Sequence, residues 1–169
     1  EIDIPMPEVT PGLSLKIVHV SNDIYLIGFN NSGNPLISLI TVEIADDGMI
    51  QDTVLCFYNI TKLGHSNFCS PNIIRIKDNI FAVSYHSTNY TSKSDFVSTF
   101  QILPNGSISI IDTLTMSAYF SSTFGYDEYS DIIPIAGSTD LYALIYGYDY
   151  FKTVTDHRGL GVIFTIEID

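Results

Sequence analysis

The chain has 169 residues, with 7 Lys+Arg against 19 Asp+Glu and a net charge of −12. Apolar residues make up 46% of the sequence and charged residues 15%, which excludes an intrinsically disordered chain and allows one domain with a substantial core. The acidic balance argues against nucleic acid as a partner, because phosphate binding needs clustered cations. The longest uncharged apolar stretch, 26–42, is broken by polar residues, so no membrane span is predicted.

Short runs rich in Ile, Val, Tyr, Phe and Thr follow one another along the chain, separated by turns of Asn, Asp, Gly, Ser and Pro. The first run covers 17–20, and an Asp-containing turn joins it to a second run at 24–29. A third run covers 41–44, and the turn at 46–48 leads to a fourth run at 50–53. This alternation, with almost no helical periodicity, predicts an all-β protein.

The same unit of four runs then repeats along the chain. Its counterparts are 73–76, 80–85, 99–102 and 110–113 in the second repeat, and 132–135, 141–146 and 165–168 in the third. The first run recurs after 56 and then 59 residues (73 − 17 and 132 − 73). Self-similarity at such a period indicates one structural unit used several times.

Four short antiparallel strands form one blade of a β-propeller. The second run of each unit is apolar at nearly every position, as expected of a strand covered on both faces, and blades stacked face to face provide that cover. A two-sheet sandwich, the alternative, leaves one face of each sheet in water and favours cleaner alternation. We therefore predict a single propeller domain of three four-stranded antiparallel blades.

The predicted blades cover 13–70, 71–130 and 131–169. The third repeat lacks a fourth run, whereas the N-terminal segment 1–12 opens with Glu-Ile-Asp-Ile, which matches the fourth runs Ile-Gln-Asp-Thr and Ile-Ile-Asp-Thr. We predict that segment 1–12 supplies the outer strand of the last blade, because this pairing covers two otherwise open strand edges.

With its recurring hydrophobic run, Asp turn, aromatic-rich run, Thr-x-x-Ile, turn and Ile-x-Asp-Thr, the chain resembles the tandem β-propeller repeat proteins of the secreted and surface-layer type in archaea and bacteria. The likeness covers nearly the whole chain and implies a propeller fold in an extracellular protein. The Trp-Asp dipeptide, the paired glycines of kelch repeats and the Asp-box of sialidases do not occur. No functional residues of a subfamily can therefore be carried over.

Three blades do not ordinarily close a ring, since closed propellers have four to eight. Two explanations stay open at this point. Two copies of the chain could form a homodimer with a six-bladed ring, or the chain could be part of a longer propeller.

The cysteines and the glycosylation sequons point to an extracellular or cell-surface protein. Cys56 and Cys69 lack metal-binding spacing, so they are either free buried thiols or one disulfide, and we predict the disulfide. Sequons begin at Asn30, Asn59, Asn89 and Asn105, more than composition alone predicts, and all four lie in predicted loops or strand ends.

Candidate metal ligands and catalytic groups are few. The residues Asp127, Glu128 and Asp131 offer oxygen ligands to a structural calcium ion, although solvated turn residues explain them as well, and no other cofactor is predicted. No catalytic residues are predicted. The alternative, a propeller glycosidase or lyase, needs two carboxylates in the central channel, whereas the first runs carry His19, Arg75 and Pro134 among Ile and Val.

Aromatic residues are the best candidates for a binding site. In a propeller the connections between second and third strands emerge on the same face as those between blades. These connections contain the candidates Tyr90, Tyr126, Tyr129, Tyr148, Tyr150 and Phe151. Rings among few cations suit a sugar or a protein partner, although packing between blades is the alternative explanation. We therefore expect an extracellular binding or structural module that contacts protein or glycan or belongs to a surface layer.

Overall fold

A computed structural model of the chain describes residues 15–31, 36–60, 71–89, 92–117, 129–153 and 156–168. Within these ranges the protein is all-β, as predicted. Among the described residues there is no helix with the length and apolar character needed to cross a membrane.

The described ranges contain eleven strands: β1 (Lys16–Ser21), β2 (Ile24–Asn31), β3 (Leu36–Ile44), β4 (Ile50–Ile60), β5 (Asn72–Lys77), β6 (Ile80–Asn89), β7 (Ser92–Ile102), β8 (Ile108–Ser117), β9 (Tyr129–Pro134), β10 (Leu141–Thr153) and β11 (Asp156–Glu167). They form three antiparallel sheets in which each strand pairs with its neighbour in the chain. Sheet 1 has the order β1-β2-β3-β4, sheet 2 the order β5-β6-β7-β8, and sheet 3 the order β9-β10-β11. The predicted closing segment 1–12 lies outside the described residues, so its pairing with sheet 3 stays a prediction.

Sheets 1 and 2 share the local backbone conformation of their turns. Asn22 and Asp78, between the first and second strands, have φ angles of 47° and 44°, a left-handed region that short polar side chains tolerate. Gly48 and Gly106, before the fourth strands, both have a φ of 81°. In each sheet a register shift also occurs at the end of the first strand. Because the same turn conformations recur at equivalent positions, the first two sequence repeats fold into similar sheets.

The fourth strands correct one part of the sequence comparison. The sequence repeat aligns residues 50–53 with residues 110–113, and this alignment predicts that Asp52 and Asp112 occupy equivalent positions of the fourth strands. In sheet 2, however, Asp112 pairs with Thr99, whereas the corresponding Thr41 of sheet 1 pairs with Cys56. The reason is that the register between β3 and β4 shifts twice, whereas that between β7 and β8 shifts once.

The three sheets stack through two apolar interfaces, and the first strands β1, β5 and β9 contact one another in turn. We call the face of a sheet toward the preceding sheet its leading face and the opposite one its trailing face. Between sheets 1 and 2 the buried core comprises Val20, Ile24, Leu26, Ile37, Leu39, Ile60, Ile73, Phe81, Val83, Tyr85, Phe100, Ile102 and Ile108. Between sheets 2 and 3 it comprises Ala82, Val97, Ile132, Tyr142, Leu144 and Ile166.

Strand β6 explains why the second run of each repeat is apolar throughout. Phe81 and Val83 belong to the core shared with sheet 1, whereas Ala82 between them belongs to the core shared with sheet 3. All three side chains are buried. Since β6 is covered on both faces, successive residues are apolar rather than alternate ones.

Candidate functional site

His19 and Arg75 occupy equivalent positions of the first strands β1 and β5, each opposite an aromatic residue. His19 pairs with Tyr25, and their ring centroids are 5.1 Å apart. Arg75 pairs with Phe81, and its guanidinium carbon lies 5.3 Å from the ring centroid. Arg75 Nη2 also donates hydrogen bonds to the backbone carbonyls of His19, at 2.7 Å, and Val20. Arg75 therefore ties sheet 2 to the end of β1, which is a structural role.

In sheet 3 the equivalent pair is Pro134 and Tyr142. Tyr142 is buried in the core between sheets 2 and 3, and its hydroxyl donates a long hydrogen bond of 3.4 Å to the carbonyl of Thr139. Burial raises the pKa of the Tyr142 phenol above its ordinary value of 10.0, and the nearby Asp140 carboxylate raises it further. This aromatic position thus serves the packing of the sheets.

The candidate ligand Asp131 holds sheets 2 and 3 together at their first strands. Its Oδ1 accepts hydrogen bonds from Asn72 Nδ2 and from the backbone N–H of Ile132, the latter at 2.8 Å. The other candidate ligands, Asp127 and Glu128, lie outside the described residues. Among the residues that the structure describes, no group of three or more His, Cys, Asp or Glu side chains is placed to hold a metal ion.

Asp131 also corrects the prediction that the first strands carry no carboxylate. Strand β9 begins at Tyr129, three residues before the apolar run at 132–135 (132 − 129), and therefore includes Asp131. The first strands β1 and β5 contain neither Asp nor Glu. The glycosidase alternative needs two facing carboxylates, and the first strands supply one that is already hydrogen-bonded.

The second and third strands of every sheet meet at one end of the stack, which we call the hairpin end. In sheet 3 the β10–β11 hairpin continues beyond Gly147, the last residue of β10 that pairs with β9, as far as the pair Thr153–Asp156. Six residues of extended strand span about 20 Å. This hairpin therefore projects well past the first strand of its own sheet.

Three of the aromatic candidates lie within this projecting hairpin rather than in a loop. Tyr148, Tyr150 and Phe151 are residues of β10 and pair with Leu160, Arg158 and His157 of β11. Tyr129 is the first residue of β9 and pairs with Gly147 where the projection begins. Tyr90 and Tyr126 lie outside the described residues. The sequence placed these residues at the correct end of the strands but missed the length of the hairpin.

The predicted sequons fall at strand ends and turns. Asn105 is exposed in the β7–β8 turn, where its Oδ1 accepts a hydrogen bond of 3.1 Å from the Ser107 N–H. Asn59 is half-buried on β4 and accepts a hydrogen bond of 2.8 Å from the Ser38 hydroxyl. Asn30 lies near the end of β2 and Asn89 ends β6. Of the two sequon side chains whose burial the structure describes, Asn105 is the more openly presented for modification.

The predicted disulfide stays a prediction. Cys56 is half-buried on β4, opposite Thr41, and forms no bridge within the described part of the chain. Its predicted partner Cys69 lies outside the described residues.

An exposed apolar patch on sheet 3 was missed from the sequence. Ile133, Leu141 and Ile163 are all exposed, and none of them was a candidate. The signal that could have found them is the repeat itself, because they occupy positions of the third repeat whose counterparts in the first two repeats are also apolar. No protein-family model matches the chain, and neither a curated protein nor a solved structure matches it.

Proposed function

We propose that the chain is a propeller-type extracellular binding module in which the three sheets are blades and the hairpin end binds a glycan. The blade arrangement is supported by the adjacency of β1, β5 and β9, since first strands line the axis of a propeller. It is also supported by the reuse of the same repeat positions in both interfaces between sheets.

In this proposal the segment 1–12 completes sheet 3. Sheets 1 and 2 have a fourth strand on the outer edge of their third strand, whereas β11 pairs on one side only among the described residues. Residues 1–4 match the fourth runs of both other repeats, so they are the strand that fits this edge.

The projecting β10–β11 hairpin is the observation that carries the binding role. It brings Tyr148, Tyr150 and Phe151 onto one paired ladder that extends beyond β9. Aromatic rings provide flat apolar contact together with a polar tip, and sugar rings are bound in this way. The net charge of −12 disfavours anionic polymers and leaves neutral glycans as the better ligands.

The test is a glycan array probed with labelled wild-type protein and with the double variant Tyr148→Ala/Tyr150→Ala. We expect the wild type to bind a defined subset of glycans and the double variant to lose about 10-fold or more in affinity, since each buried ring contributes on the order of 1 kcal/mol. Met49→Ala is the matched control, because Met49 is exposed at the opposite end of sheet 1.

Three outcomes would overturn this assignment. The array could stay silent with folded wild-type protein, Met49→Ala could lose binding as strongly as the double variant, or the double variant could bind as well as the wild type. If the chain binds a cell-surface protein and still binds it after enzymatic removal of that protein's glycans, the ligand of the hairpin end is a protein instead.

A further inference from the structure

The β7–β8 turn contains the one Asn-Gly dipeptide of the sequence, Asn105 followed by Gly106. The side chain of Asn105 is exposed. Because glycine has no side chain, its backbone nitrogen can approach the amide carbon of the preceding asparagine without a steric clash. Every other asparagine of the chain precedes a residue that carries a side chain. Asn105 is therefore the asparagine whose side-chain amide is most open to attack by its own backbone.

Hydrogen bonds of the turn hold both reacting groups. Asn105 Oδ1 accepts a hydrogen bond of 3.1 Å from the Ser107 N–H. When a nucleophile adds to the side-chain amide carbon, negative charge develops on this oxygen, and a donor already aimed at it stabilises that charge. The nucleophile, the Gly106 nitrogen, donates a hydrogen bond of 2.8 Å to the Leu103 carbonyl. The amide is thus ready to react, whereas the nitrogen becomes available when the turn opens.

We propose that Asn105 is a site of spontaneous modification, at which the Gly106 nitrogen converts the side-chain amide into a mixture of aspartyl and isoaspartyl residues. The Gly106 nitrogen gives its proton to water and bonds to Asn105 Cγ, while the bond from Cγ to the side-chain nitrogen breaks and ammonia leaves. The product is a cyclic imide.

Water then opens the imide ring at one of its two carbonyl carbons. Cleavage of the bond from Gly106 nitrogen to Cγ gives an aspartate with the normal backbone. Cleavage of the bond to the backbone carbonyl carbon gives an isoaspartyl residue, whose main chain runs through Cβ and Cγ. In both cases a carboxylate replaces the amide, so the net charge changes from −12 to −13 (−12 − 1).

The equivalent turn of sheet 1 indicates that the aspartyl product fits. There Asp47 precedes Gly48, whose φ of 81° equals that of Gly106. Asp47 Oδ1 accepts a hydrogen bond of 2.9 Å from the Met49 N–H, as Asn105 Oδ1 does from Ser107. An aspartate at position 105 can form the same bond, so this product should leave the turn unchanged.

The isoaspartyl product does not fit, because it adds one backbone carbon beside a residue that is packed against sheet 1. A Cβ built on Gly106 would already lie 2.7 Å from Leu55 Cδ1. The Gly106 carbonyl also accepts a buried hydrogen bond of 2.6 Å from the Thr41 hydroxyl. A longer backbone displaces these contacts. Isoaspartyl formation should therefore loosen sheet 2 from sheet 1, and the same contacts should slow the reaction by keeping the turn closed.

The test follows residue 105 by peptide mapping and mass spectrometry in the full chain, kept folded at neutral pH. The chain is produced in a bacterial cytoplasm, so that no glycan occupies the Asn105 nitrogen. A synthetic peptide of residues 101–110 gives the rate without the fold. We expect both products at position 105 in both samples, with the folded chain about 10–100-fold slower, because the reaction waits for local opening of the turn. Asn105→Gln, whose longer side chain disfavours the ring, should stay unmodified.

Two variants test the control exerted by sheet 1. Thr41→Val removes the hydroxyl that holds the Gly106 carbonyl and should raise the rate about 5-fold, as expected from the loss of one hydrogen bond. Asp47→Asn places the same dipeptide in the equivalent turn, where a Cβ on Gly48 meets nothing within 4 Å. Position 47 of that variant should react about 5-fold faster than position 105. Thermal unfolding checks that both variants are folded.

Three outcomes would overturn the inference. Asn105 could remain intact in the folded chain after about 100 half-lives of the peptide, which would remove the modification site itself. Position 47 of the Asp47→Asn variant could react no faster than position 105, which would remove the control by sheet 1. The isolated isoaspartyl form could melt at the temperature of the unmodified chain, which would remove the effect on the contact between sheets 1 and 2.

Discussion

The two interfaces between neighbouring sheets use the same positions of the repeat but are filled to different extents. Between sheets 1 and 2 the described core contains the rings of Phe81, Tyr85 and Phe100 among long aliphatic side chains. Between sheets 2 and 3 it contains the ring of Tyr142 and is smaller. At one shared trailing-face position, Leu26 faces sheet 2 whereas Ala82 faces sheet 3. Hydrophobic stabilisation follows buried apolar area, so the first interface contributes more.

The polar contacts differ as well. Across the first interface, side chains bond to backbone: Arg75 Nη2 donates to the carbonyls of β1, and the Thr41 hydroxyl donates to the Gly106 carbonyl at 2.6 Å. Across the second, side chains bond to side chains, as in Asn72–Asp131 and Ser84–Ser130. A backbone carbonyl remains available as an acceptor whichever side chain its own residue carries. The comparison therefore predicts that the polar contacts of the first interface tolerate substitution of the acceptor residue, whereas those of the second are lost when either partner is substituted.

Removing a ring from the first interface should have the largest effect. Phe100 is fully buried, and its ring packs edge-to-face on Tyr58 of sheet 1 with centroids 5.5 Å apart. We expect Phe100→Ala to lower the free energy of unfolding by about 3–5 kcal/mol, through lost burial and the cavity that remains. Denaturant unfolding at neutral pH measures this change.

Two matched variants calibrate that result. Phe57→Ala removes the same ring from an exposed position and should cost less than about 1 kcal/mol. Leu144→Ala removes a fully buried side chain from the second interface and should cost about 2–4 kcal/mol. If Leu144→Ala destabilises the protein more than Phe100→Ala, the second interface is the stronger one and the comparison is wrong.

The β7–β8 turn provides a smaller test of the same first interface. Gly106 and Gly48 both have a φ of 81°, so alanine at either position carries a backbone cost of about 1 kcal/mol. A Cβ on Gly106 would also lie 2.7 Å from Leu55 Cδ1 and 2.8 Å from Leu55 Cβ, whereas a Cβ on Gly48 meets nothing within 4 Å. We expect Gly106→Ala to cost about 2–4 kcal/mol in total, because overpacking adds to the backbone term.

The difference between the two glycine variants measures the packing of sheet 2 on sheet 1. Thermal unfolding of both variants beside the wild type gives that difference directly. If Gly106→Ala and Gly48→Ala destabilise the protein equally, the β7–β8 turn of sheet 2 does not pack tightly against β4.

The repeat made much of this architecture predictable. Turn residues such as Asn22 and Asp78 mark strand ends locally, and a run that is apolar throughout, like that of β6, predicts a sheet covered on both faces. The pairing of β4 was not predictable, because its register shifts place Cys56 opposite Thr41 and depend on packing rather than on local composition. Polar stretches such as 92–95 of β7 were likewise missed as strand.

The candidate site was predictable to a lesser degree. Tyr148 and Tyr150 were identified by residue type, since rings near a turn suit binding, whereas the projection of their hairpin depends on where β9 ends. Asp131 was a ligand candidate because it lies in an acidic cluster that offers oxygen ligands. Its structural role was not predictable, because its hydrogen bond to Asn72 joins residues 59 apart in sequence (131 − 72). The exposure of Ile163 is also a tertiary property, since its equivalents are buried.

The smallest effect concerns the phenol of Tyr142, which lies in the second interface. Because burial first and Asp140 second raise its pKa above 10.0, the folded protein holds this proton more tightly than the unfolded chain does. The stabilisation is complete below pH 10 and is lost as the pH rises through the raised pKa. Tyr142→Phe should change stability at pH 7 by less than about 1 kcal/mol, since the lost hydrogen bond is long. Above pH 10 the variant should melt increasingly above the wild type.

The matched control is Tyr25→Phe, because Tyr25 occupies the equivalent position of sheet 1 and is half-buried. Melting temperatures of the wild type and both variants between pH 7 and pH 11 decide the matter. If the difference in melting temperature between variant and wild type widens equally for both variants as the pH rises, alkaline unfolding does not begin at the second interface. A gap confined to Tyr142→Phe would place the pH-sensitive contact between sheets 2 and 3, because ionising that buried phenol forces charge into the smaller of the two cores.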